Sequence, residues 1–89
     1  MEGTYIPRWM PDKKYKLTLE ELSNLHYGDI VLLAGPKTYP KDDEIFEWCR
    51  EQDIHASWAG RYYVEHTEYK EVWIVHGEAK RVLFSLRWA

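Results

Sequence analysis

Residues 57–88 read SWAGRYYVEHTEYKEVWIVHGEAKRVLFSLRW, and this stretch decides the fold. It is dense in aromatic and β-branched residues, and the pairs Thr67-Glu68 and Gly77-Glu78 break it into runs near 57–66, 69–76 and 79–88. Alternation of period two along those runs predicts a three-stranded antiparallel meander. One face then collects Trp58, Tyr62, Val64, Tyr69, Trp73, Val75, Val82, Phe84, Leu86 and Trp88. Glu71, His66 and Lys80 are the polar exceptions on that face, which is expected to be the core. The opposite face groups Arg61, Arg81 and Arg87 around Tyr63, with an apolar spot at Val72, Ile74 and Leu83.

Upstream of the meander the pattern is helical. Ile45, Phe46, Trp48 and Cys49 fall on one stripe of a helix expected from Asp42 to about Gln52, leaving Asp43, Glu44, Glu47, Arg50 and Glu51 for water. Acids in its first turn suit the helix dipole. Before it, Ile30-Val-Leu-Leu-Ala34 is an unbroken apolar run between Gly28 and Gly35-Pro36, the pattern of a strand buried on both faces. Thr18-Leu-Glu-Glu21 has the form of a capping box opening a short helix that carries Leu19, Leu22 and Leu25. Residues 1–16, with Pro7 and Pro11 but also Tyr5, Ile6, Trp9, Met10 and Tyr15, read as an extended arm laid over a sheet edge or core.

These elements predict an α+β domain spanning residues 1–89. The expected sheet is small, of mixed or antiparallel strands, about four in number, ending in the meander and covered on one face by two helices. Strand 30–34, helix 42–52 and strand 57–66 would form a crossover unit. A chain of this length buries roughly 60–65% of its unfolded surface and so needs large core side chains. Five Trp, seven Tyr and two Phe supply them.

Charge and cysteine usage narrow the function classes. The lone Cys49 allows neither an intramolecular disulfide nor a cysteine zinc site. No apolar leader opens the chain, and the apolar run 30–34 is too short to span a bilayer, so a cytoplasmic location without membrane contact is expected. Net charge is −3, against generic polyanion binding, but it is unevenly spread. Residues 1–54 hold seven Lys/Arg against eleven Asp/Glu; residues 55–89 hold five against four.

The segment Ile30-Val-Leu-Leu-Ala-Gly-Pro-Lys-Thr-Tyr-Pro40 resembles the opening strand and loop of nucleoside 2-deoxyribosyltransferase-like proteins, where a strand ending in Leu-Ala-Gly-Pro leads into a nucleotide-binding loop. The resemblance implies that Ala34, Gly35 and Pro36 approach a sugar or phosphate. It covers about ten residues, and the antiparallel pattern downstream departs from the doubly wound parallel sheet that such proteins carry.

No residue set announces catalysis, a cofactor or a metal. His26, His55, His66 and His76 lack ligand spacing, and the phase of Cys49 with Ile45 and Phe46 makes it a core residue. The leading expectation is therefore a small non-enzymatic protein-binding module, of the kind that inhibits by occlusion, as immunity and virus-encoded counter-defence proteins do. Its working surface would be the acidic helix, Asp43, Glu44, Glu47 and Glu51, facing a basic partner protein. A nucleic-acid or nucleotide-binding domain using Arg61, Tyr63, Arg81 and Arg87 is the first alternative. A small nucleotide-processing enzyme built around loop 35–41 is the second.

Overall fold

The computed structural model of the chain describes residues 2–34, 42–65 and 68–89. Strands β1 (Glu2–Pro7) and β2 (Tyr15–Thr18) precede helix α1 (Leu19–Leu25); β3 (Ile30–Ala34) and helix α2 (Asp42–Glu51) follow. Strands β4 (Ala56–Tyr63) and β5 (Tyr69–Val75) lead into helix α3 (Glu78–Trp88). The strands form one sheet in the order β2-β1-β4-β5-β3, every neighbouring pair antiparallel. The α+β class is thus as the sequence implies, with five strands rather than about four and none parallel to its neighbour. The additional strands are the N-terminal residues read as an arm: β1 pairs with β4 and carries the fully buried Tyr5. The crossover from β3 through α2 to β4 does run between strands of like direction. They are not neighbours, because β5 lies between them. Among the described residues there is no doubly wound parallel sheet of the kind the Leu-Ala-Gly-Pro resemblance implied, and loop 35–41 falls outside them.

The largest departure is residues 79–88, expected as the third strand of a meander and found as α3. Both readings turn Phe84 and Trp88 inward, because a spacing of four satisfies period two and, nearly, period 3.6; Phe84 is buried and Trp88 partly so. They part at Val82 and Leu86, which a strand would turn into the core and the helix leaves 56% and 79% exposed. Composition favours the helix: Glu78, Ala79, Lys80, Arg81, Leu83, Leu86 and Arg87 are strong helix formers. Glu78 in the first turn and Arg87 in the last complement the dipole.

A second departure is a slip of phase inside β4. The register with β5 shifts between Trp58 and Gly60, so Trp58 opposes Trp73 while Tyr62 opposes Lys70 on the other face. Tyr62, expected beside Trp58, therefore joins a different core. Gly60 makes the bulge possible. Its φ is +122°, and a Cβ there would stand 2.2 Å from the Ile6 carbonyl oxygen.

The sheet consequently has a core on each side. On one, Val31, Leu33, Trp73 and Val75 pack with Ile45 and Cys49 of α2 and Phe84 of α3. On the other, Tyr5, Ala59, Tyr62 and Val72 pack with Leu22 of α1. The expectation of two helices on one face is corrected: α2 and α3 share a face, and α1 covers the reverse. The capping box of α1 is present, Thr18 Oγ1 accepting from the Glu21 amide and the Glu21 carboxylate accepting from the Thr18 amide. Among the described residues no helix is long and apolar enough to cross a membrane.

Candidate functional site

Helix α2 is anchored from below and charged above. Ile45 and Cys49 are buried, and the Trp48 ring packs edge-on to Phe84 and Trp88 at centroid distances of 6.4 and 5.9 Å. These contacts set the rotation of the helix and hold Asp43, Glu44, Glu47 and Glu51 in solvent. Arg50 pairs with Glu47 one turn away, an exposed i,i+3 contact of small energetic weight that neutralises one carboxylate. Phe46, expected in the buried stripe, is 45% exposed. Its inner edge meets Trp73 at a centroid distance of 5.1 Å, and its outer edge lines a shallow depression with Asp43, Glu44, Glu47 and Arg50.

The basic face expected from the meander is divided by the actual fold. Arg61 and Tyr63 lie on the sheet, in register with Glu71 and Tyr69 and so on the Trp73 face rather than its reverse. Arg81 and Arg87 are on α3. Arg81 is held by Asp29 at 2.5 Å and by the Val75 carbonyl, and Arg87 lies 4.0 Å over the Trp88 ring. Two of the four thus lie on a strand and two on a helix, so they do not make the single strand face that alternation implied.

What the sheet assembles instead is centred on Glu71, noted in the sequence only as a carboxylate on an apolar face. It is 3% exposed, accepting a 2.6 Å hydrogen bond from Trp58 Nε1 and a 3.0 Å bond from Arg61 Nε. Partial burial works against the Arg61 charge, but the bond to Glu71 and its charge outweigh that and hold the guanidinium proton more tightly than usual. The same guanidinium lies 4.8 Å over the Tyr69 ring, which packs on Tyr63 at 5.2 Å. Thr4, Ile6, Lys16 and Tyr63 line a broad open depression beyond, on the part of this face next to β2.

A buried Tyr–His pair lies under α1, on the other side of the sheet. Tyr5 Oη donates to the Ala59 carbonyl at 2.7 Å, so the 3.1 Å contact with His26 Nε2 makes that nitrogen the donor. Burial pushes the Tyr5 hydroxyl up to about 12 and the His26 imidazole down. Trp9 closes over His26 edge-on at 5.9 Å. The pair is a satisfied core contact, and nothing in its spacing of 21 residues marks it in the sequence.

His55 and His76 are neighbours, the His76 amide donating to the His55 carbonyl at 3.2 Å, and both are exposed. His76 Nδ1 lies 3.5 Å from the Asp29 carboxylate, and His66 falls outside the described residues. Among the described residues no three His, Cys, Asp or Glu side chains converge as a metal site would require. Cys49 is buried, and burial raises its thiol pKa, which leaves it a poor nucleophile. Compared with protein-family models, with curated proteins and with solved structures, the chain matches none.

Proposed function

We propose that this chain is a non-enzymatic protein-binding module that docks a basic partner surface through α2, acting as an inhibitor by occlusion. The observation that carries the reading is the combination on α2. The half-exposed Phe46 stands among the exposed carboxylates of Asp43, Glu44, Glu47 and Glu51, on a helix fixed from below by Ile45, Trp48 and Cys49. Aromatic side chains are enriched at interfaces, whose rims are polar. The carboxylates steer a Lys/Arg-rich partner, and the ring supplies the area that loses water. The immunity and virus-encoded counter-defence type of inhibitor suits this small acidic profile, and the free buried thiol of Cys49 suits a reducing, cytoplasmic setting.

The test compares the wild type with the combined variant Glu44→Lys, Glu47→Lys, Glu51→Lys in partner capture from the native host. These side chains face water, so each change costs within roughly 0.5 kcal/mol and the fold survives. Capture is expected to vanish, and the wild-type association rate to fall as salt shortens the screening length from about 10 Å. Undiminished capture by the variant would sink the proposal.

One observation favours a second reading. Arg61, Tyr63 and Tyr69 stack on the sheet, with Lys16 across Thr4 from Tyr63, a cation–aromatic surface of the kind that holds single-stranded nucleic acid. Salt-sensitive binding of single-stranded RNA or DNA, lost in Arg61→Ala with Lys16→Ala and kept in the α2 variant, would replace the first reading with this one.

A further inference from the structure

Register sets four residues of β4 and β5 in a block on the sheet face that carries Trp73: Arg61 against Glu71, and Tyr63 against Tyr69. A carboxylate as deeply buried as Glu71 needs donors. It has one on each oxygen, Trp58 Nε1 on Oε2 at 2.6 Å and Arg61 Nε on Oε1 at 3.0 Å. Arg61 is thus gripped most closely by the nitrogen nearest its chain, and not by the terminal pair that often forks onto a carboxylate. Accordingly 45% of the Arg61 side chain stays in solvent, against 3% of Glu71. The Tyr69 ring, with its centre 4.8 Å from the guanidinium carbon, supports the guanidinium from one side, and the Tyr63 hydroxyl adds a further polar contact. An arginine anchored in this way keeps Nη1 and Nη2 toward the open face in one orientation.

The neighbouring strands continue the same two rows. Tyr63 faces Thr4 and Thr4 faces Lys16; Arg61 faces Ile6, and Lys14 lines the same depression. Lys16 therefore stands two strand spacings, about 10 Å, from Tyr63. The carboxylates of Glu2 and Glu65 also line this depression, on the side of Thr4 and Tyr63 away from Arg61. A chain of alternating anions and flat rings can lie across the rows, its anions at Arg61 and the lysines and a ring against Tyr63. An acidic peptide supplies the anions without the rings. At a net charge of −3 the protein offers a polyanion no long-range attraction, so one well-aimed cation carries a larger share of the binding.

We infer that Glu71 is the positioning residue of a single-stranded nucleic-acid site on this face. It aims the terminal nitrogens of Arg61 at one phosphate, and Trp58, by holding Oε2, keeps the carboxylate from drawing them back. The inference rests on the second reading above and adds to it the buried residue that makes the arginine effective. Charge and position act here in opposite directions. The Glu71 charge by itself repels a nearby phosphate, so its neutralisation would tighten binding. As the anchor of Arg61 it favours the phosphate, so its neutralisation loosens binding.

Fluorescence anisotropy with a labelled oligothymidylate of about ten residues, measured over a range of salt, tests this. The wild type is expected to bind, and Arg61→Ala to bind about 10- to 100-fold more weakly, with a salt slope smaller by about one. Glu71→Gln keeps the shape but can accept from only one of the two donors, and should weaken binding about tenfold. Added to Arg61→Ala it should weaken binding no further. Trp58→Phe frees Oε2 for the Arg61 terminal nitrogens and should weaken binding about threefold. Circular dichroism verifies each fold; should Glu71→Gln unfold, Trp58→Phe decides, since it removes one hydrogen bond from a partly buried ring. If Arg61→Ala fails to bind while the foldable variant of Glu71 or Trp58 binds as tightly as the wild type or more so, the role of Glu71 is overturned and the second reading stands. No binding by the wild type, or equal competition by oligoglutamate, overturns both.

Discussion

Helices α2 and α3 lie side by side on one sheet face, touch through Trp48, Phe84 and Trp88, and rest on the same Trp73. Their outer surfaces are opposites. α2 shows water a set of carboxylates around one phenyl ring; α3 shows Val82, Leu83 and Leu86. A common floor with different exteriors separates what the core demands of a helix from what the surface is free to carry. Each helix meets the floor with few side chains, Ile45 and Cys49 in one and Phe84 with Trp88 in the other. The exposed positions are then open to a partner, and the two helices offer surfaces of different chemistry.

The comparison breaks most completely at the shared floor. Trp73 is fully buried, and Trp73→Ala should cost about 3–5 kcal/mol, removing both helices in one transition followed by urea denaturation. Two separate transitions would show that α2 and α3 do not depend on one core. A sharper test sets Phe84→Ala against Phe46→Ala. The first empties a closed site and should cost roughly 3–5 kcal/mol; the second removes a ring already half in water and should cost about 1–2 kcal/mol. Equal losses would mean that Phe46 belongs to the core and not to a docking surface.

The reverse core supplies a control with a smaller effect. Among the described residues neither α2 nor α3 contributes a histidine, whereas α1 closes over Tyr5 and His26. Burial lowers the folded-state pKa of His26 below its unfolded value of about 6.5, so the unfolded chain takes up the proton first. Stability is therefore complete above about 6.5 and falls as pH drops from there through the folded-state value. His26→Gln keeps a donor toward Tyr5 and cannot titrate. Its melting temperature should fall less than the wild type's on acidification through this window, and equal slopes would assign the acid sensitivity to another group.

The smallest effect lies on the outer surfaces. Charge reversal at Glu44, Glu47 and Glu51 of α2 should leave stability within roughly 0.5 kcal/mol per site while abolishing partner capture. A large loss of stability would show that these carboxylates belong to the fold.

Much of this molecule follows from local sequence. The Thr18/Glu21 capping box, the apolar run of β3, the exposed acids of α2 and the burial of Trp73 and Phe84 all follow from side-chain chemistry or from a periodicity that neighbouring residues share. Residues 79–88 carry both signals: their alternation fits a strand, their composition favours the helix they form, and Phe84 and Trp88, four apart, turn inward in either form. Two features were decided only in the tertiary structure. Tyr62 changed faces because Gly60 admits a bulge where Ile6 passes too close for any side chain. Glu71, which alternation could place but not explain, became the buried centre of Trp58 and Arg61, partners ten and more residues away. Alternation and propensity are properties of neighbours in the chain. A bulge and a shared buried carboxylate depend on what arrives from elsewhere, and only the closed sheet supplies it.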